Sequence, residues 1–169
     1  MSIRRLTELA LLSSVALIIF VIELRIPNPV PIPGVKLGLA NIVTVYAVFR
    51  CKPSETAMIV AVRLLLGAVF SGNPSALLYS AAGAICCLCG MLLLRGVLPE
   101  KQIWLCSVIG AILHNTGQIG AAIVLMRTTA VLTYLPVLLV SGCIAGLFTG
   151  LCAQFTVIRM EKLRPDRHE

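Results

Sequence analysis

Long apolar runs, separated by short polar or proline-containing breaks, occupy most of the chain. A helix that crosses a membrane needs roughly 20 mainly apolar residues, and runs of about that length recur along the sequence. The pattern predicts six membrane-spanning helices at residues 6–24, 35–49, 54–70, 75–94, 102–126 and 131–158. We therefore expect an all-α integral membrane protein, a six-transmembrane-helix bundle in which residues 1–169 form a single membrane domain.

The breaks between the runs carry residues that end or begin helices. Four prolines alternate with other residues at positions 27–33, and because proline cannot continue a helix, residues 25–34 are expected to form a stiff, extended outer loop. The segment 50–53 ends in a proline that suits a helix start, and 71–74 is typical of a tight turn. Residues 159–169 form a charged tail.

Composition excludes the ordinary soluble classes. The chain is 59% apolar and 12% charged, with a mean hydropathy of +0.99. A soluble domain is about 45 to 50% apolar and about 25% charged. The net charge of +7 does not indicate nucleic acid, because the basic residues are scattered at segment ends instead of forming a stripe. The lipid bilayer is therefore the expected environment.

The distribution of lysine and arginine predicts the orientation. Three basic residues lie on one side of the predicted membrane, namely Arg25, Lys36 and Arg127, and Arg63 lies within a span. The other ten lie on the opposite side: Arg4, Arg5, Arg50, Lys52, Arg95, Lys101, Arg159, Lys162, Arg164 and Arg167. Cytoplasmic loops carry the excess of basic residues, so both termini are expected in the cytoplasm.

Arg63 lies deep inside a predicted span. It lies about nine residues into the third span, roughly 14 Å along a helix axis, which is close to the membrane midplane. A charged group at that depth costs about 2 to 3 kcal/mol on insertion scales. Arg63 therefore contacts an anionic ligand, pairs with a structural partner such as Glu23, or reaches water through a local defect in the bilayer.

The fifth span carries polar residues on one face. His114 and Gln118 are four residues apart and share that face, Asn115 adjoins His114, and Gly110 lies one turn earlier. Such a face lines a polar cavity or forms hydrogen bonds where two helices cross. The pattern alone leaves both roles open.

Three further polar residues lie toward the outer half of the predicted bundle. Asn41 is in the second span, Asn73 is at the start of the fourth, and Tyr79 follows one and a half turns further in. They face the same cavity only if their helices are rotated suitably. The predicted ligand-binding set is Arg63, Asn41, Asn73, Tyr79, His114, Asn115 and Gln118.

Small residues at four-residue spacing predict close helix contacts. Gly142, Gly146 and Gly150 form a groove in the sixth span that suits internal helix packing. Ala10 and Ser14 form a shorter stripe in the first span, which is either a chance pattern or a docking surface for a second membrane protein.

Motifs for catalysis and metal binding are absent from the sequence. The only aspartate is Asp166 in the tail, so there is no pair of aspartates that could hold magnesium for prenyl or phosphoryl transfer. No P-loop, G-x-S-x-G or H-E-x-x-H occurs. The cluster Cys86-Cys87-x-Cys89 favours small buried apolar residues over a metal site. We predict no catalytic residue, no metal and no cofactor, and do not expect an enzyme.

Three segments together resemble one family. They are Pro33–Asn41, Arg63–Gly67 with Phe70–Asn73, and Gly110–Gln118. They resemble the Gx transporter family, which is labelled heptaprenyl diphosphate synthase component I and is similar to the S components of energy-coupling-factor vitamin transporters. The resemblance covers residues 6–158. It implies a multi-pass protein of a bacterial plasma membrane.

The resemblance implies a substrate-binding subunit. An S component is a six-helix bundle that binds a small molecule toward its outer half and docks on a transmembrane coupling subunit driven by two ATPases. The loop 25–34 would then be the gate, and Ala10 and Ser14 would correspond to the docking stripe. The ligand residues of the vitamin transporters cannot be matched position by position.

Two function hypotheses follow. The first is a solute-binding subunit for a flavin, a quinone precursor or an isoprenoid precursor, with Arg63 attracting an anionic group. The second is a subunit without transport activity that anchors a prenyl-synthase or redox partner in isoprenoid, quinone or flavin-linked electron-transfer work. Neither hypothesis involves nucleic acid.

Overall fold

The chain folds as a bundle of α-helices. The computed structural model describes residues 2–25, 38–72 and 74–162, and within these ranges it contains no strand. The helices are α1 (Ile3–Arg25), α2 (Asn41–Arg50), α3 (Pro53–Ser71), α4 (Pro74–Arg95), α5 (Ile103–Met126) and α6 (Leu135–Lys162). Short 3-10 helices cover Glu100–Gln102 and Ala130–Tyr134. The prediction of an all-α fold is confirmed for the described ranges.

Among the described residues, five helices are long and apolar enough to cross a membrane, and α2 is not one of them. It has 10 residues and a length of about 15 Å at 1.5 Å per residue. The predicted second span, 35–49, is therefore wrong at its start, because Gly38 to Ala40 form a turn and the helix begins at Asn41. Gly38 has a φ of +71°, a conformation that glycine adopts without strain and that a helix does not contain. Six spans thus stay a prediction.

The start of α6 also differs from the prediction. The apolar run from 131 was expected to be one α-helix, but Ala130–Tyr134 is a 3-10 turn, and the α-helix begins at Leu135. Pro136 lies in the first turn of α6, where its missing N–H group costs no helical hydrogen bond. Proline in the first turn likewise begins α3, at Pro53.

The short α2 is enclosed by its neighbours. It contacts α1, α3, α4 and α6, while α5 packs along both α4 and α6. Val45 and Val48 of α2 meet Met91 of α4, Cys106 of α5 and Val157 of α6 in the main apolar core. Burial on all sides explains why α2 has few exposed residues, in contrast to the outward faces of the five longer helices.

Both ends of the described chain lie at the same end of the bundle. The Arg5 guanidinium, near the start of α1, forms two hydrogen bonds to the Glu55 carboxylate at the start of α3, at 3.0 and 2.6 Å. Arg50 donates to the carbonyl of Val157 near the end of α6, at 3.3 Å. Arg95 at the end of α4 donates to the Cys51 carbonyl at 2.8 Å. We call this the basic end.

The α6 glycines lie against α5. A Cβ atom at Gly146 would stand 3.0 Å from the Cα atom of Val108, and one at Gly150 would stand 2.6 Å from the Cα atom of Trp104. A Cβ atom at Gly142 would meet the side-chain amide of Asn115. The groove therefore brings the α5 and α6 backbones close together.

The cysteines divide by helix face. Cys51, Cys87 and Cys106 are buried, whereas Cys86 and Cys89 lie on the outer surface of α4. The expectation that the α4 cluster is buried is therefore wrong for two of its three members. Successive helical residues point about 100° apart, so neighbouring positions cannot all face the core.

Candidate functional site

A cavity of about 640 Å³ lies inside the bundle, at the end opposite the basic end. Every α-helix contributes to its wall. The predicted ligand-binding residues that fall within the described side chains all line it: Arg63, Asn41, Tyr79, His114, Asn115 and Gln118. Asn73 and most of the predicted gate 25–34 lie outside the described residues. We call this space the central cavity.

A chain of hydrogen bonds connects three helices at the rim of the central cavity. Arg63 of α3 donates from Nη1 to Oδ1 of Asn41, the first residue of α2, at 3.0 Å. The Asn41 N–H group donates to the Gly38 carbonyl at 2.9 Å, and the Gly38 N–H group donates to Oε1 of Glu23 on α1 at 2.5 Å. The turn before α2 therefore joins a buried cation to a buried anion through neutral groups.

One alternative for Arg63 was an ion pair with Glu23, and the structure does not contain this ion pair. In the described part of the chain, the ion pairs are those of Arg5 with Glu8 and Glu55. Arg63 and Glu23 are 8% and 7% exposed, and both face the central cavity. An arginine side chain has five N–H donors and keeps its charge in proteins, so the Asn41 bond uses only part of its capacity.

His114 and Gln118 lie on the α5 face that the four-residue spacing predicted. Both pack over Gly83 of α4, where a Cβ atom would stand 3.0 Å from His114 Cε1 and 2.8 Å from Gln118 Cγ. Gly83 lets α4 and α5 approach while these polar side chains stay between them. Both side chains also line the central cavity.

Asn115 serves helix packing as well as lining the central cavity. Its Nδ2 donates to the Leu138 carbonyl of α6 at 2.5 Å, and its amide covers Gly142. Leu138 lies in the first turn of α6, and the carbonyl accepts this bond from a neighbouring helix. Asn115 is thus held by a hydrogen bond between α5 and α6.

The central cavity combines polar groups with a large apolar wall. The polar part includes Tyr79 and Ser80 of α4 and Tyr134 of the 3-10 helix before α6. The apolar part includes Phe20, Leu64, Met91, Ile119, Ala122 and Leu138. Binding pockets for small molecules are typically about 300–1,000 Å³, mainly apolar, with a few placed polar groups. The central cavity has that character.

Two features of the central cavity were missed by the sequence analysis. Glu23 was considered only as a partner for Arg63, not as a lining residue, although a carboxylate within an apolar run is a clear signal. Ser107 of α5 and Thr149 of α6 also line the space, joined by a hydrogen bond of 3.1 Å between their hydroxyls. Single hydroxyls in apolar helices follow no pattern that would single them out.

The central cavity contains few groups of the kind that catalyse reactions. Across the described ranges, no three side chains of histidine, cysteine, aspartate or glutamate are grouped so as to hold a metal ion. The acidic and imidazole groups of the cavity wall lie on different helices, with Glu23 on α1 and His114 on α5. The arrangement is suited to holding a molecule by charge, hydrogen bonds and apolar contact.

Comparison with known families gives one result. The model of the family described as heptaprenyl diphosphate synthase component I matches residues 12–156. The chain belongs to this family. No curated protein and no solved structure matches it. The resemblance to the heptaprenyl diphosphate synthase component I family is thereby confirmed.

The family match covers the helices that build the central cavity. It begins within α1 and ends within α6, so Glu23, Arg63 and the polar α5 face all lie inside it. The description of the heptaprenyl diphosphate synthase component I family names one component of a synthase and does not name a transporter. A component of this kind implies a partner subunit.

Proposed function

We propose that this chain is the membrane-embedded substrate-binding subunit of an energy-coupled uptake system, similar to the S components of energy-coupling-factor transporters. The observation that carries the proposal is that six polar residues, chosen from the sequence as ligand contacts, line one cavity. They come from helices α2, α3, α4 and α5. Random polar positions in a bundle would face several different neighbours.

The ligand is a small anionic or amphipathic molecule. Arg63 supplies a positive charge at depth, and charge-assisted hydrogen bonds to carboxylate or phosphate are the strong ones. The apolar wall suits the remainder of a flavin, a quinone precursor or an isoprenoid precursor. The Glu23 carboxylate accepts a hydrogen bond from the Gly38 N–H group.

Topology supports the uptake function. The N-terminal part of α1 and the C-terminal part of α6 lie together at the basic end, where the excess of lysine and arginine favours the cytoplasm. The central cavity then opens toward the outside of a bacterial plasma membrane. Ala10 and Ser14 are exposed on α1, where a coupling subunit with two ATPases would dock.

Mass spectrometry of small molecules retained by the gently purified protein tests the proposal. We expect a bound compound in the parent and in the matched control Arg127→Gln, which removes an exposed charge near the same end. Arg63→Gln should weaken binding about 10- to 100-fold, since a hydrogen bond to a charged group contributes roughly 1.5–3 kcal/mol. Arg63→Lys, which keeps the charge, should lose less.

Equal retention by a folded Arg63→Gln variant, as judged by its melting temperature, would show that this arginine does not bind the ligand. Absence of any retained compound from all variants, together with no solute accumulation in cells, would contradict the uptake function itself.

The family description favours a second candidate. In it, the chain is a membrane subunit without catalytic activity that holds a heptaprenyl diphosphate synthase or redox partner at the bilayer. This candidate predicts co-purification with a prenyl-transfer or redox protein, whereas the uptake function predicts co-purification with ATPase subunits. Affinity purification of the tagged full-length chain from its native membrane separates the two.

A further inference from the structure

A second, basic pocket lies at the other end of the bundle. It has a volume of about 910 Å³ and shares no lining residue with the central cavity. Its wall holds four cationic side chains and one carboxylate: Arg5, Arg50, Lys52, Arg95 and Glu55. These residues come from the start of α1, the end of α2, the start of α3 and its preceding loop, and the end of α4.

Three of the four cations form no ion pair within the described part of the chain. Arg5 is neutralised by Glu55 and by Glu8, at 2.6 and 2.8 Å. Arg50 and Arg95 bond instead to main-chain carbonyls, which offer a partial charge only. Lys52 is exposed, and its main-chain N–H group, not its side chain, meets Glu55 at 2.8 Å. Four cations and the carboxylates of Glu8 and Glu55 leave the basic pocket with a net charge of +2.

The two arginines with main-chain partners are held in place. Nη1 of Arg95 lies 2.8 Å from the Cys51 carbonyl, and Nη2 of Arg50 lies 3.3 Å from the Val157 carbonyl. Each guanidinium has five N–H donors, so these bonds fix the side chains while other donors stay available. An immobilised guanidinium loses little further entropy on meeting an anion.

Membrane topology alone does not require this arrangement. The positive-inside preference concerns the side on which basic residues lie and not their convergence on one concavity. Lys101 lies on the same predicted side and is exposed, yet it does not line the basic pocket. Convergence of residues that are far apart in the sequence indicates a binding site.

We propose that the basic pocket binds the phosphate groups of an anionic ligand. A phosphate monoester carries about 1.5 to 2 negative charges at pH 7, and a diphosphate carries more, so either would offset the net charge of +2 at this pocket. Arginine recognises phosphate through paired N–H donors, and lysine adds a point charge. The ends of the membrane-spanning helices lie at the depth of lipid headgroups, so the ligand is a phospholipid headgroup or a soluble diphosphate compound.

Two probes distinguish these sources, using the purified full-length protein. Inorganic pyrophosphate is titrated by calorimetry in a neutral detergent at low and high salt, with sulfate as the comparison anion. Retention of phosphatidylglycerol against phosphatidylcholine is measured by native mass spectrometry after reconstitution in a mixed bilayer. The variants are the double change Arg50→Gln with Arg95→Gln, the single change Lys52→Gln, and the control Lys101→Gln.

If pyrophosphate binds the parent and Lys101→Gln with the same affinity, and salt weakens that affinity, the ligand is a soluble diphosphate. The double variant should then bind at least about tenfold more weakly. A lipid headgroup is the ligand if the same variants lose phosphatidylglycerol while pyrophosphate binds none of them. Lys52 makes no side-chain hydrogen bond to a described residue, so Lys52→Gln separates lost binding from lost folding.

The proposal is overturned if neither probe distinguishes the parent from folded variants. It is equally overturned if Arg50 and Arg95 matter only for capturing an acidic protein partner. Because the basic pocket and the central cavity share no residue, failure here leaves the proposed function of the central cavity untouched.

Discussion

The Arg63 guanidinium donates a hydrogen bond to the Asn41 side chain, 3.0 Å away, and so connects the middle of α3 to the first turn of α2. The bond places a buried positive charge at the point where the second helix begins. It also gives the central cavity its most polar corner. The stability of the bundle and the binding of a ligand therefore depend on the same contact.

Replacing Asn41 tests this contact. Asn41→Leu should destabilise the protein by about 1–3 kcal/mol, because a buried donor loses its acceptor. Asn41→Asp keeps an acceptor oxygen at the same position and should be close to the parent or more stable. Thermal unfolding in detergent measures both. Equal melting temperatures for the leucine variant and the parent would show that Arg63 finds another acceptor.

The turn at Gly38 permits a matched comparison of two glycines. Gly38 and Gly72 both have positive φ, +71° and +63°, which costs a residue with a Cβ atom about 1–2 kcal/mol. A Cβ atom at Gly38 would stand 3.2 Å from Asn41 Nδ2, whereas nothing lies within 4 Å of one at Gly72. Gly38→Ala should therefore lower the melting temperature more than Gly72→Ala. The opposite order would contradict the described turn.

Alanine at Gly150 should disturb the contact between α5 and α6. Its Cβ atom would stand 2.6 Å from the Trp104 Cα atom, and backbone cannot move aside cheaply, so a loss of about 1–3 kcal/mol is expected. Gly120 is the control, because it is helical and meets nothing within 4 Å. Gly120→Ala should stabilise by roughly 0.5–1 kcal/mol. Unfolding by denaturant compares the two.

Tolerance of a larger side chain should follow the exposure of each cysteine. Cys89 is exposed on α4, whereas Cys106 of α5 is buried. Cys89→Phe should therefore keep a melting temperature close to that of the parent, whereas Cys106→Phe should lower it, because overpacking a filled core costs about 1–3 kcal/mol. Thermal unfolding in detergent compares the two. Equal melting temperatures would show that Cys106 does not lie in the packed core.

The sequence predicted the helices well where hydrophobicity alone defines them, and less well where local turn geometry does. The long runs gave α1, α3, α4 and α5 to within a few residues, because lipid-crossing helices need continuous apolar stretches. The start of α2 was missed, since the residues before Asn41 are as apolar as those after it. The positive φ of Gly38 is incompatible with a right-handed α-helix, so α2 begins after this residue.

The candidate site was predicted in outline by the cost of polar groups in an apolar run. Arg63 and the pair His114 and Gln118 stood out by charge and by four-residue spacing, and all three face the central cavity. Glu23 was missed as a lining residue because glutamate near a span end suits the headgroup region. Which faces turn inward depends on contacts between helices, such as those over Gly83, that no single helix encodes.

The short α2 serves two parts of the bundle. The hydrocarbon core of a bilayer is about 30 Å thick, and α2 extends over roughly half of that distance. It fills the interior near the basic end, where Val48 and Phe49 are buried, and its first residue is Asn41. Asn41 and Val45 line the central cavity. The shortest α-helix of the described chain therefore contributes its first half to the cavity wall and its second half to the apolar core.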